Sequence, residues 1–359
     1  MRSLTIGDRV ITDNDVFVIA EIGSNHMGDA DLCERMIIEA AACGVDAVKL
    51  QKRDNEKMFT KSILSKSYDN ELSYGKTYGE HREYLDWFGE KEFIRFKSVA
   101  DELGVLFFAT PFEEASAEFL HDLGVPLWKI ASCDVKNLPL VKKVAEYGQP
   151  MIISTGGADF DDIMKLVLEI HPINPNYALL HCISIYPNTD EVLNLDVIAM
   201  LRVCFFNQVI GFSSHHAGIL PLMIARSLGA SIFEMHFTLN RGFKGTDHGF
   251  SLEPQGLRQA CIDLKRVKTM LGDGRKEVLP VEKDGFVKKM GKGIYATKQI
   301  KQGELIQRED LTIKSPAGGI LPSQIDEIVG KSLVCDLSTG VAISEDMIDI
   351  LSGGGNYGI

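Results

Sequence analysis

Val18-Ile19-Ala20-Glu21-Ile22-Gly23-Ser24-Asn25-His26 is a short apolar run that ends in a carboxylate and passes straight into polar residues. Leu32 to Cys43 follows, with apolar residues recurring three and four apart, the spacing of one helical face. The pair reads as a strand and its helix. No Gly-x-Gly-x-x-Gly stands behind the strand, which weakens the dinucleotide-binding version of such a unit. The alternation then repeats, with runs at Ala47-Val48-Lys49-Leu50, Leu106-Phe107-Phe108-Ala109, Leu127-Trp128-Lys129-Ile130 and Met151-Ile152-Ile153-Ser154. It continues at Ala178-Leu179-Leu180-His181, Val209-Ile210-Gly211-Phe212 and Ile232-Phe233-Glu234-Met235. Near-continuous apolar runs parted by helical patterns predict a parallel sheet buried on both faces. Eight of them predict an α/β fold, a (β/α)8 TIM barrel rather than an open doubly wound sheet.

Composition changes after the last helical pattern, Leu257 to Leu271. The reading assigns 1–275 to the barrel, 276–285 to a linker, 286–350 to a small β-rich domain and 351–359 to a flexible tail. The small domain is marked by turn signals such as Gly291, Gly303 and Pro316-Ala317-Gly318-Gly319. It is too small to hold a catalytic cleft alone.

The chain of 359 residues is 45% hydrophobic and 25% charged, ordinary values for a globular protein with a sizeable core. Its 38 basic and 50 acidic residues give a net charge of −12, which argues against nucleic-acid and anionic-membrane partners. Residues 1–14 lack the apolar core of a signal peptide, and no run approaches membrane-spanning length. Seven cysteines, without CxxC pairs and several in apolar runs (Cys182, Cys204, Cys335), read as reduced core residues of a cytoplasmic protein.

Active sites of such barrels lie at the C-terminal ends of the strands. All eight runs end in polar or ionisable residues: Glu21; Lys49 and Gln51; Thr110; Lys129, Ser132 and Asp134; Ser154; His181, Ser184 and Tyr186; Ser213, His215 and His216; Glu234 and His236. Two lysines among short hydroxyls suit a phosphate or carboxylate. Paired with neighbouring carboxylates, they would be barrel structure instead. His215 and His236 end adjacent strands and could share one divalent ion, with Glu21 or Asp247 completing it. His216 rivals His215, and strand alternation lets only one of them point into the mouth. Lys244-Gly245-Thr246-Asp247-His248 reads as a solvated turn or as a loop gripping substrate with Asp247 and His248. Tyr74 to Arg82 reads as a polar insertion, a surface loop or a lid.

Ala20 to His26 resembles the opening motif of the sialic acid synthase (N-acetylneuraminate synthase) family. Val48-Lys49-Leu50-Gln51, Lys129-Ile130-Ala131-Ser132, Ile153-Ser154-Thr155-Gly156, Leu180-His181-Cys182, Tyr186-Pro187, Ile210-Gly211-Phe212-Ser213, Glu234-Met235-His236-Phe237-Thr238 and Lys244 to Pro254 resemble further signatures in order. The C-terminal part resembles the antifreeze-like (SAF) domain of these enzymes. The resemblance implies a domain-swapped homodimer that condenses phosphoenolpyruvate (PEP) with an N-acylated amino sugar, using Mn2+ or Mg2+ held by His215 and His236. It implies PEP contacts from Lys49, Thr110, Lys129, Ser132, Ser154 and Ser213. Sugar contacts fall on Gln51, Asp134, Tyr186 and Asp247, and an acid/base role on Glu21.

Two departures concern the sugar. Ser315 replaces the Arg that many bacterial members carry before a Pro-Gly pair, leaving Lys314 as the nearest cation, and Ser184 stands where some members have Asn. Lys244 to His248 and Lys76 to Arg82 are similar to the subset containing the 9-phosphate-forming animal enzymes. N-acetylmannosamine is the leading acceptor, with its 6-phosphate or a 2,4-diacetamido-trideoxyhexose (legionaminic or pseudaminic type) as alternatives. Two competing classes are a metal-dependent barrel aldolase or hydrolase that does not use PEP, and a non-catalytic sugar-binding barrel. The first leaves Lys49 and Lys129 without a ligand; the second is at odds with the full polar mouth.

Overall fold

The computed structural model describes residues 2–349. It opens with an antiparallel hairpin, β1 (Ser3–Ile6) and β2 (Arg9–Thr12), turned at Gly7 in the left-handed region. Eight parallel strands follow: β3 (Phe17–Glu21), β4 (Ala47–Lys52), β5 (Leu106–Pro111), β6 (Trp128–Ile130), β7 (Met151–Ser154), β8 (Tyr177–Cys182), β9 (Val209–Ser214) and β10 (Ile232–His236). Each corresponds to one of the apolar runs. Their order around the sheet is β5-β4-β3-β10-β9-β8-β7-β6, so the first and last barrel strands, β3 and β10, pair and bring the sheet round. β5 and β6 lie side by side without a hydrogen-bonded ladder, so the barrel is nearly closed.

The strands are buried along nearly their whole length, with half-buried positions only at one end of β4 and of β5, because helices cover the outside and side chains fill the inside. The helices start where the sequence supplies caps: Asp29 accepts from the backbone amides of Asp31 and Leu32 to begin the helix Ala30–Ala42. The last barrel helix, Pro254–Leu271, ends at Gly272, whose φ of +62° a side chain would disfavour. Gly211 has a different reason to be bare, since a Cβ there would run into the Ile232 carbonyl and the Leu180 side chain.

Two expectations are corrected. The insertion before Arg82 is not a loop: Thr77 and Glu80 form a capping box that starts the helix Tyr78–Asp86, which turns His81 and Arg82 inward. Cys204 and Cys335 are exposed rather than core residues; Cys204 ends the helix Val197–Cys204 on its outer side, and Cys335 sits in a turn-rich stretch. Cys182 is buried, and all seven thiols are free.

The described residues separate into two compact units that part between Gly272 and Asp273. The segment read as a linker contains a short helix, Pro280–Asp284. The second unit has its own small core around Ile294, Ile306 and Ile343 and an antiparallel pair, β11 (Gly293–Ala296) and β12 (Leu311–Lys314). Isolated bridges such as Ile300–Leu337 and Leu333–Ile348 complete it, so its β character lies in short ladders between turns. The expected tail, 351–359, lies outside the described residues. Among the described residues no helix is long and apolar enough to cross a membrane.

Candidate active site

Strand register stacks the polar strand ends into one layer. Glu21 on β3 lies opposite His236 on β10 and Lys49 on β4, while Glu234 lies opposite Ser213 on β9. Period-two alternation keeps Lys49 with Gln51, and Glu234 with His236, on the same face. Together with Thr110, Lys129, Ser132, Ser154, Ser184, Tyr186, Ser213 and His215 they line one cavity of about 270 Å3 at the C-terminal end of the barrel.

The floor is an ionic network cut off from water. Lys49 and Lys129 are each 3% exposed. Lys49 Nζ sits 2.6 Å from Glu21 Oε2 and donates to Thr110 Oγ1 at 2.9 Å. Lys129 Nζ donates to Ser154 Oγ at 2.7 Å and to the Ile130 carbonyl. Glu234 Oε1 lies between them, 3.7 Å from Lys49 and 3.9 Å from Lys129. Burial lowers the Lys129 ammonium from its usual value, and Glu234 counters part of that. Burial alone would raise the Glu234 carboxyl, but Lys129 and Lys49, with the imidazoles of His236 and His215 behind them, together hold it low. The second oxygens of Glu21 and Glu234 accept no hydrogen bond. Two ammonium groups against two carboxylates leave this floor formally neutral.

The imidazoles stand at the side, ring centroids 5.3 Å apart. His215 Nδ1 lies 3.0 Å from the Ile183 carbonyl, so it carries the hydrogen and Nε2 keeps its lone pair. Burial, with the charge of His236 adding to it, lowers His215 to about 4 and keeps it neutral at pH 7. His236 Nδ1 is buried without a hydrogen-bond partner, 3.7 Å from Asp247 Oδ2. Tyr186 lies over His215 with centroids 4.0 Å apart. His216 points away from the cavity and pairs with Asp190 at 3.1 Å.

Gln51 forms the opposite wall. Its amide donates to Glu21 Oε1 at 2.8 Å and accepts from Arg53 Nη2, so both ends are fixed. Gly156 packs against the hydroxyls of Ser132 and Ser184, and its backbone amide donates to Ser132 Oγ.

Some expected residues stand elsewhere. Asp134 is turned to Asn137, which donates to it at 3.0 Å, and does not line the cavity. Asp247 reaches the cavity through its contact with His236 and is held by Thr246. His248 is buried against Thr238 Oγ1 at 2.7 Å rather than facing the mouth. Lys314 ends β12 in the second unit. Glu234, at the centre of the floor, was read from the sequence as a strand end but given no role in the site, although its place two residues before His236 on one strand face was visible. Phe112 and Cys133 also line the cavity without having been singled out, and Cys182, read as a core thiol, lines it too.

Residues 36–276 match the NeuB family and residues 291–349 match the SAF domain. The chain is 37% identical over 334 residues to the N-acetylneuraminate-9-phosphate synthase of Homo sapiens, covering 93% of this chain and 92% of that one. It is 32% identical over 340 residues to the N,N'-diacetyllegionaminic acid synthase of Legionella pneumophila, covering 93% and 94%. The crystal structure of the N-acetylneuraminic acid synthetase of Leptospira borgpetersenii superposes with a TM-score of 0.70 at 33% identity, over 79% of this chain and 95% of that one. The chain therefore belongs to the NeuB family of sialic and related nonulosonic acid synthases, enzymes that join small molecules through a carbon–carbon bond, and carries a SAF domain at its C-terminal end.

Proposed function

We propose that the enzyme condenses PEP with the open-chain form of an N-acylated amino sugar of the N-acetylmannosamine type, and with water, to give a nonulosonic acid and phosphate. The observation that carries this reading is the pair of buried lysines flanking Glu234 in the same cavity as two imidazoles. The carboxylate pairing alone would suit a structural role, but both lysines also line the cavity beside Thr110, Ser132, Ser154 and Ser213, a donor set that an aldolase or hydrolase working on the imidazoles alone leaves unused. PEP brings a phosphate and a carboxylate, and Lys49, Thr110, Lys129, Ser132, Ser154 and Ser213 are assigned to them as cations and short donors. Gln51, Ser184, Tyr186, Asp247 and Lys314 are assigned to the sugar.

His215 and His236 fit a divalent ion, Mn2+ or Mg2+. His215 keeps Nε2 free because Nδ1 is engaged with Ile183, and His236 Nδ1 has no hydrogen-bond partner. Among the described residues no group of three or more His, Cys, Asp or Glu is arranged around a common point, so substrate and water would complete such a site. When bound, the ion supplies Lewis-acid polarisation of the acceptor aldehyde and the positive charge that the neutral floor lacks.

The chain's own residues do the rest. The methylene carbon of PEP attacks the aldehyde carbon and forms the new bond, and the aldehyde oxygen becomes a hydroxyl with the proton that the adding water gives up through Glu21. Water adds to the former enol carbon and gives its proton to Glu21, whose Oε2 is paired with Lys49 by charge yet accepts no hydrogen bond. The tetrahedral intermediate breaks its carbon–oxygen bond to phosphate, loses the hydroxyl proton and becomes a ketone. Lys49 and Lys129 hold the phosphate as it leaves. Fixing the reactants in attacking positions contributes on the order of 7 kcal/mol.

The test is phosphate release from PEP with Mn2+ against N-acetylmannosamine, its 6-phosphate and 2,4-diacetamido-trideoxyhexoses, each beside an EDTA-treated control. Metal-dependent release is expected; no release together with no PEP binding refutes the reading. The homodimer and the sugar role of Lys314 belong to the same proposal, and solution mass and the acceptor KM of Lys314→Ala test them.

A further inference from the structure

Beyond the cavity wall lies a second charged cluster that the reaction does not use. β4 carries Lys49 and Gln51 inward, and Arg53 follows at the same spacing, just past the strand end. At about 3.3 Å per residue, Arg53 stands roughly 13 Å beyond Lys49 toward the barrel mouth. It is only 7% exposed. Its guanidinium lies over the ring of Phe112, 4.2 Å from the centroid, and one nitrogen donates to Gln51 Oε1. Phe112 and Gln51 both line the cavity, so Arg53 backs its acceptor side.

The helix Tyr78–Asp86 brings Arg82 and Asp86 to the same place. Arg82 takes both oxygens of Asp86, with Nε at 2.7 Å. Arg53 has only a loose 3.7 Å contact with that already engaged carboxylate. Its Nε is buried and has no partner at all. Two guanidiniums thus face one carboxylate, with the other nearby carboxylate, Glu21, paired to Lys49. A buried charge left so short of partners is costly unless a ligand completes it. The planar fork of arginine suits a phosphate or carboxylate oxygen pair. Burial and the charge of Arg82 lower Arg53 to about 10, so it stays charged at neutral pH.

We infer that Arg53, positioned by Gln51, Phe112 and the Arg82–Asp86 pair, is an anion subsite for a phosphomonoester at the end of the acceptor sugar farthest from its aldehyde. The inference rests on the PEP-dependent reading above. An open-chain hexosamine laid along β4 from the lysine floor puts its sixth carbon toward Arg53, and a neutral hydroxyl there would leave the Nε unanswered. The subsite thus accounts for the polar insertion as a specificity element that delivers Arg82 and Asp86.

The experiment measures kcat/KM for N-acetylmannosamine 6-phosphate and for N-acetylmannosamine, with PEP and Mn2+, in wild type, Arg53→Gln and Arg53→Lys. The wild type is expected to prefer the phosphorylated acceptor, and Arg53→Gln to lower that preference by about 10- to 100-fold, the worth of one charge-assisted contact. Arg53→Lys keeps the charge without the fork and restores part of it. Equal losses on both acceptors, which is what a purely structural Arg53 gives by disturbing Gln51, overturn the subsite. A wild type that turns over both acceptors equally well overturns it too, while leaving the synthase reading intact. Absence of PEP turnover with either acceptor, and of PEP binding, overturns both.

Discussion

Replacing Lys129 by Met removes one charge from the floor while nearly keeping its volume. Lys129 is 3% exposed, bonded to Ser154 at 2.7 Å, and 3.9 Å from Glu234. At that separation and an effective dielectric of about 20, a unit charge pair is worth roughly 4 kcal/mol before desolvation. Much of that is offset by burying the ammonium, and a charged hydrogen bond to a ligand contributes about 1.5–3 kcal/mol net. PEP binding should therefore weaken by roughly 10- to 150-fold. The variant should also lose some stability, about 1–3 kcal/mol, because Glu234 is left with Lys49 alone; the full cost of an orphaned buried charge, nearer 3–5 kcal/mol, is averted by that second lysine. Isothermal titration with PEP gives the first number and urea unfolding the second. Lys142→Met, which removes only an exposed pair with Glu169, is the control and should leave both unchanged. A PEP affinity within about threefold of wild type in Lys129→Met would refute the assignment of Lys129 to PEP, whatever the stability change.

Other perturbations bear on separate parts of the molecule. His236→Ala should abolish Mn2+ binding measured by titration and metal-dependent phosphate release alike; retained stoichiometric Mn2+ would point the ion elsewhere. Gly156→Ala puts a Cβ 2.8 Å from Ser132 Oγ and closer still to Ser184 Oγ, so kcat/KM should fall about tenfold or more with little change in melting temperature, and an active variant would show those hydroxyls to be idle. His26 is lowered from 6.5 to about 3 by burial, so the unfolded chain binds a proton that the folded chain refuses between those values. Stability is then lost as pH falls below about 6.5, by roughly 2 kcal/mol at pH 5 from this residue. Denaturant unfolding at pH 7 and pH 5 should show a smaller difference in His26→Gln than in wild type; an unchanged difference would mean that His26 is protonated in the fold.

The barrel was legible because its signal is redundant. Eight apolar runs can be buried on both faces only in a parallel sheet, and each run became a strand. The cavity set was legible for a related reason: alternation from any one strand end fixes which residues share its face. What failed to read depends on which way a side chain turns and what captures it nearby. Asp134 looked like a strand-end ligand, yet Asn137, one turn on, captures it. The polar insertion looked like loop because its glycines and charges dominate, while the Thr77–Glu80 capping box carries the helical information. Cys204 and Cys335 were judged by apolar neighbours, and side-chain direction put them outside.

Glu234 was left without a role and Arg53 was not noticed at all, and together they say what the site is built to receive. Glu234 is a carboxylate between two lysines, so from charge alone it looks like simple neutralisation. Yet a floor balanced to zero cannot hold a multiply charged anion by excess charge; it does so by exchanging partners, each lysine giving up part of its hold on a carboxylate as phosphate oxygens arrive. Glu234 and Glu21 then keep both lysines oriented when the cavity is empty, sparing them reorganisation when PEP enters. Arg53 has only a loose 3.7 Å contact with a carboxylate already engaged by Arg82, and its unpaired Nε persists in a nearly sealed position. A neutral floor and an unbalanced rim therefore make different demands: removing Glu234 should loosen the lysines and slow the reaction for every acceptor, whereas removing Arg53 should change which acceptor is chosen. Measuring Glu234→Gln beside Arg53→Gln on the same two acceptors separates the roles, and a selectivity change in Glu234→Gln as large as that in Arg53→Gln would collapse the distinction between floor and rim.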